Sequence, residues 1–136
     1  MWFRSSKLLV SVAMSDKPTI DFPEQPAPTE LVITDLKVGK GEEAASGATV
    51  SVHYVGVSYS TGEQFDASWD RGSAFSFKLG AGQVIAGWDQ GVAGMKVGGR
   101  RQLTLPPHLA YGSAGAPPVI GPDETLIFVV DLLGVQ

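Results

Sequence analysis

The chain has 136 residues and a net charge of −4, with a pI near 5.0. That length bounds one domain with a real core, and the acidic balance excludes the basic face that a nucleic-acid phosphate backbone demands. There is no cysteine, so disulfides, thiolate metal sites and cysteine nucleophiles are excluded, and the chain fits a reducing compartment.

The chain opens on "MWFRSSKLLVSVAM", two positive charges followed by an apolar stretch from Leu8 to Met14. It sits at the short limit for a secretory h-region and lacks a small-residue cleavage site. It also falls far below the ~20 apolar residues of a membrane-spanning helix. Residues 1–13 are therefore expected to be an extension from an upstream start. Pro18, Pro23, Pro26 and Pro28 follow, so residues 1–30 are expected to form a flexible or extended arm, because proline blocks helix and favours extended backbone. The folded domain is expected over 31–136.

Strands dominate that domain. "ELVITDLKVG" is rich in β-formers, and "TVSVHYVGVSY" alternates, with Val50, Val52 and Tyr54 on one face and Ser51 and His53 on the other. "STGEQ" is a turn and "FDASWDRGSA" is irregular. "FSFKLG" is a short strand and "GGRRQLTLP" alternates again. "ETLIFVVDLLGV" is nearly all apolar, as a central strand buried on both faces should be. The count is about five strands and one helix. The fold class is α+β, an antiparallel sheet covered by one helix.

The helix lies in "VIAGWDQGVAGMKVGGR". Ile85, Trp88, Val92 and Met95 form an apolar stripe at i, i+3, i+7 and i+10, which by periodicity alone is core packing. Gly87, Gly91 and Gly94 fall near one face, although each interior glycine costs a helix about 1 kcal/mol against alanine. A face without side chains admits a close neighbour, so the helix should sit directly on the sheet or on a pocket wall, with Trp88 at its entrance.

Polar chemistry is sparse. His53 and His108 each stand alone, with no metal-ligand spacing and no serine in a nucleophile elbow. Asp66 and Asp70 are spaced like a carboxylate pair, but Arg71 follows at once and should neutralise one of them. "GAGQ" at 80–83 precedes the helix without a P-loop lysine, which leaves a phosphate cradle weakly supported. What remains is aromatic. Trp88 at a helix start, Tyr111 in a loop and Phe65 beside Asp66 mark a concave apolar pocket with a few polar handles. The loop "PPHLAYGSAGAPPVIGPDE" is long, is stiffened by five prolines and carries Val119 and Ile120 near its tip, which favours a pocket wall.

"VHYVG", "FDASWDRG", "FSFKLGAGQVIAGWDQGVAGMKVGGRRQLTLPPHLAYG" and "ETLIFVVDLLGV" closely resemble the FKBP-type peptidyl-prolyl cis-trans isomerases, in unbroken order from about Leu31 to Val135. The resemblance implies a five-to-six-stranded antiparallel sheet wrapped around one short helix, and a pocket between them. It implies Trp88 as the pocket floor and Tyr54, Phe65, Val84, Ile85 and Phe128 as walls. Phe75, Tyr111, Val119 and Ile120 would form the rim. Asp66 would point into the pocket, held by Arg71, and the Ile85 N–H and Tyr111 hydroxyl would bond substrate carbonyls. Tyr54, Asp66, Trp88, Tyr111 and Phe128 are the implied catalytic set, with either a chemical or an organising role for Asp66.

The implied activity is rotation about Xaa-Pro bonds to assist folding, with no metal and no cofactor. The alternative is a proline-peptide binding module with little turnover. The implied partners are proline-containing peptides, folding proteins and rapamycin-type macrolides. The arm also resembles that of small actinobacterial cytoplasmic members, so a cytoplasmic monomer is expected. Where many eukaryotic members carry His-Pro-Gly this chain has Ala116-Pro117-Pro118, which bears on loop shape and substrate preference.

Overall fold

The computed structural model describes residues 16–20 and 26–136. The expected upstream-start extension, 1–13, lies outside them. Six strands are present: β1 (Val32–Lys37), β2 (Thr49–Ser58), β3 (Gln64–Ala67), β4 (Phe75–Lys78), β5 (Arg100–Leu105) and β6 (Leu126–Val135). Two short helices, α1 (Ser68–Arg71) and α2 (Ala86–Gly91), and a 3-10 turn (Pro107–Leu109) are the remaining elements among the described residues. The sheet is antiparallel in the order β1-β5-β6-β2-β3, and β4 pairs with the first half of β2 beside β3. The expected sheet and the helix against it are both present. The short helix α1, in the stretch expected to be irregular, was not anticipated.

The long strands follow their sequence patterns. In β2, Val50, Val52 and Tyr54 turn to the core as the alternation requires. From Leu126 to Leu132 β6 is buried on both faces, because it lies between β5 and β2 and its outer face is also covered. Part of that cover comes from the arm. Ile20 packs on Val55, Ala67 and Val129 behind the sheet. The carbonyl of Asp16 accepts a hydrogen bond from Arg100 Nη2 at 2.7 Å. Beside it the buried Arg100 and Asp131 form an ion pair at 2.7 Å. His53, expected on a polar face, is instead stacked on Trp69 with ring centroids 4.3 Å apart, and its Nδ1 lies 2.8 Å from Ser68 Oγ.

Two of the three glycines seat α2 on the sheet. A Cβ at Gly87 would lie 2.2 Å from Leu105 Cδ2, and one at Gly91 would lie 2.7 Å from Leu103 Cδ2. Neither fits, so the helix backbone rests directly on β5. Gly94 does not share this role, which corrects the expectation of a single glycine face. The helix ends at Gly91, and Gly94 stands in a turn at φ +90° with open space around it. Arg101 fixes the helix end: its Nη1 donates to the carbonyls of Gly91 (2.8 Å) and Ala93 (3.1 Å), and its Nε donates to Asp35 (2.6 Å). A cation at a helix C-terminus also meets the negative end of the helix dipole.

Candidate active site

Between α2 and the inner face of the sheet lies a cavity of about 410 Å³. Trp88 is its floor and is almost fully buried. The rings around it meet edge to face. Tyr54 stands 4.9 Å from Trp88 at 81°, and Phe128 stands 5.2 Å away at 88°. Phe65 crosses Phe128 at 5.5 Å and 89°, and Phe75 approaches Trp88 at 6.1 Å. Such geometry sets the positive edge of one ring on the negative face of the next, and each pair is worth about 0.5–1.5 kcal/mol beyond its buried area. The indole N–H of Trp88 is buried and meets no hydrogen-bond acceptor among the described residues.

The polar wall is a triad of side chains. Tyr54 donates its hydroxyl to Asp66 Oδ2 at 2.5 Å. Arg71 donates to Asp66 Oδ1 through Nη1, and to the Tyr54 hydroxyl through Nη2 at 2.9 Å. The expected neutralisation is therefore Asp66 by Arg71, while Asp70 is held by Lys17 (2.8 Å) and by the Gln64 amide (2.7 Å). The four-residue helix α1 aims Arg71 at this site. The wholly buried Ser68 fixes α1, its Oγ accepting the Tyr54 backbone N–H at 2.7 Å. Burial raises the Tyr54 phenol above its ordinary value, and the bond to Asp66 raises it further. Arg71 is raised by its bonds to Tyr54 and Asp66. Tyr111 is raised by burial first and then by the charge of Asp66. Both phenols thus keep their protons at neutral pH.

Two donors at the mouth are unused. The Tyr111 hydroxyl donates to no described residue, and Tyr111 is 41% exposed at the rim. The Ile85 N–H, at the N-cap of α2, likewise makes no hydrogen bond within the described residues. The loop before α2 is fixed instead by Asp89, whose carboxylate accepts the N–H groups of Gly80 (2.8 Å) and Gly82 (3.1 Å). The glycine-rich "GAGQ" is thus an anion cradle filled from within the chain.

Tyr54, Phe65, Asp66, Phe75, Val84 and Ile85 line the cavity, as do Trp88, Tyr111 and Phe128. Arg71 stands behind Asp66. Val119 and Ile120 are not brought to this cavity, which corrects the expected rim. Ala116 and Ile120 pair across a tight turn, so Ile120 points into the core at 3% exposure while Val119 points outward at 61%. Three contributors escaped the sequence reading. Gln83 lines the cavity and accepts the Lys78 N–H at 2.9 Å. Ser68 anchors α1. Gly56 makes room for two rings: a Cβ there would lie 2.7 Å from both Phe128 and Phe65. A glycine inside a clean alternating strand was the available signal. Among the described residues no group of three or more His, Cys, Asp or Glu could hold a metal ion, and no helix is long and apolar enough to cross a membrane.

Residues 40–133 match the family model described as FKBP-type peptidyl-prolyl cis-trans isomerase. The chain belongs to this family. It is 62% identical over 121 residues to an FK506-binding protein of Streptomyces anulatus, covering 88% of this chain and 98% of that one. It is 55% identical over 119 residues to a probable FK506-binding protein of Corynebacterium glutamicum, covering 87% and 98%. Among solved structures, that of AtFKBP13 superposes with a TM-score of 0.74 at 39% identity, over 81% of this chain and 96% of that chain. The six-stranded sheet is the FKBP fold, and this isomerase catalyses cis-trans interconversion at peptidyl-prolyl bonds.

Proposed function

We propose that the reaction runs in the aromatic cavity above Trp88. One observation carries the reading: a ring-lined cavity has at its mouth two donors that bond no described residue, and the carboxylate that lines it, Asp66, is already engaged. An Xaa-Pro amide rotates over a barrier of about 18–20 kcal/mol because resonance must be lost. No bond is made or cut. The planar amide is strongly dipolar and the twisted one less so, so a cavity lined mostly by aromatic rings disfavours the ground state relative to the transition state.

The prolyl ring packs on Trp88 between Tyr54 and Phe128. The Ile85 N–H and the Tyr111 hydroxyl hold substrate carbonyls on one side of the rotating bond while the other side turns. Asp66 acts as an organiser, since each of its oxygens already accepts a hydrogen bond from a neighbour. It fixes the Tyr54 ring and holds negative charge at the wall. The partners are proline-containing peptides and folding chains, the working place is the cytoplasm, and FK506- or rapamycin-type macrolides compete for the same cavity.

The test is the cis-to-trans rate of a Leu-Pro-Phe peptide measured by exchange NMR, with and without rapamycin. Rapamycin should abolish the acceleration. Trp88→Leu and Asp66→Asn should each lower turnover while the circular dichroism stays native. Full activity in both variants would place the reaction elsewhere.

A further inference from the structure

A second groove, of about 430 Å³, adjoins the first, and Phe65 lines both. One bank is the β2–β3 turn, with Thr61, Glu63 and Gln64, and the other is Pro118, Val119 and Gly121, with Glu124 at the end. Both banks are held in place. Ser58 and Glu63 close the turn through a backbone hydrogen bond at 3.0 Å. Glu124 ties it to the opposite bank, its carboxylate accepting the Ser60 N–H (3.0 Å) and Ser60 hydroxyl (2.8 Å). The groove therefore carries two carboxylates, and among the described residues no lysine, arginine or histidine lines it. Its lip is apolar, formed by the exposed Val119 and Pro118.

We infer that this groove takes the segment of the substrate chain flanking the prolyl bond, and that it selects a basic residue there. The inference rests on the proposed seating of proline over Trp88. A bound polypeptide must leave the first cavity, and the groove shares the Phe65 ring with it. Two extended residues span roughly 7 Å, enough to pass Phe65. Lysine or arginine fits both features of the groove. Its methylene stem covers Val119 and Pro118, and its charged head reaches Glu63 and Glu124. An acidic residue in the same place meets like charge.

The test uses peptides built on Leu-Pro-Phe with Lys or Glu placed two or three residues to either side of the prolyl bond. Exchange NMR gives kcat/KM for each, and the readout is the Lys-to-Glu ratio within one protein. The wild-type ratio should be about three- to tenfold at low salt on at least one side, the size expected of two exposed ion pairs acting together. It should shrink toward one at about 0.5 M salt, where the screening length is only a few ångströms. Glu63→Lys should bring it to one or below. Gly121→Leu should also lower it by filling the groove, since a Cβ there meets nothing within 4 Å. A wild-type ratio of one on both sides overturns the inference, as does a preference that survives both substitutions. Failure to isomerise the parent Leu-Pro-Phe peptide would instead overturn the seating of proline over Trp88.

Discussion

The seating of α2 can be tested with one methyl group. Gly87→Ala should help an isolated helix by about 1 kcal/mol. In this protein the new Cβ falls 2.2 Å from Leu105 Cδ2, 2.4 Å from Leu105 Cγ and 3.1 Å from the Leu109 carbonyl oxygen. Carbon atoms pack comfortably at about 3.5–4.0 Å, so something must yield by more than an ångström. Leu105 is completely buried and cannot swing to solvent. Overpacking of this kind costs about 1–3 kcal/mol, and the double overlap puts it at the upper end. The net expectation is a loss of about 1–2 kcal/mol in urea unfolding, where the helix propensity alone gives a gain. If the strain is relieved by lifting α2, Trp88 rises with it, and a misplacement of about 1 Å near the chemistry can cost up to 100-fold. We therefore expect kcat/KM to fall at least about tenfold by exchange NMR. Leu105→Ala alone should cost about 2–5 kcal/mol, and the Gly87→Ala/Leu105→Ala double variant should be less unstable than the sum by about 1–2 kcal/mol. A stable, fully active Gly87→Ala protein, or strict additivity in the double variant, would refute the argument.

Three further expectations follow from the same geometry. Tyr111→Phe removes a hydroxyl that bonds no described residue, so unfolding should move by less than about 0.5 kcal/mol while kcat/KM falls about two- to tenfold, the worth of one hydrogen bond. Asp131→Ala removes the buried carboxylate paired with Arg100 and should cost about 3–5 kcal/mol in urea unfolding; a loss below about 1 kcal/mol would show that the Arg100 charge is held well enough without Asp131. Asp70 is held below its ordinary 3.8 by its bonds to Lys17 and then Gln64. Its contribution is therefore complete above pH 3.8 and is lost as pH falls through the lowered value. The stability difference between wild type and Asp70→Asn should be flat above pH 3.8 and close below it; a difference that widens on acidification contradicts the assignment.

Much of the fold was legible because strand signals are local. The alternation of β2 and the apolar run of β6 state their own burial, and the stock of rings announced a pocket before any register was known. What escaped were features set by distant contacts or by very short segments. A helix of four residues has no periodicity to detect, so α1 was invisible although it aims Arg71. Gly94 keeps helical spacing from Gly91, but spacing cannot tell that the helix has already stopped. Val119 and Ile120 look alike in sequence, and only the pairing of Ala116 with Ile120 sends one inward and the other to solvent. His53 sits at an outward position, yet the partner that covers it, Trp69, comes from α1.

The cavity itself shows why the rings alone could not place the site. Phe65 and Phe128 lie 63 positions apart in the chain and belong to strands on opposite sides of β2. They meet because the register sets Gly56 opposite Asp66 on one side and opposite Phe128 on the other. At that crossing a side chain on β2 would strike both rings. The absence of one lets them close edge to face over the strand and form the wall of the cavity beside Trp88. The same register puts Asp66 within reach of the Tyr54 hydroxyl, since Tyr54 lies two residues before Gly56 on the same face of β2. One glycine in β2 thus places both the apolar wall and the polar one. The two grooves share Phe65 for the same reason: the ring is held upright between them by what Gly56 lacks.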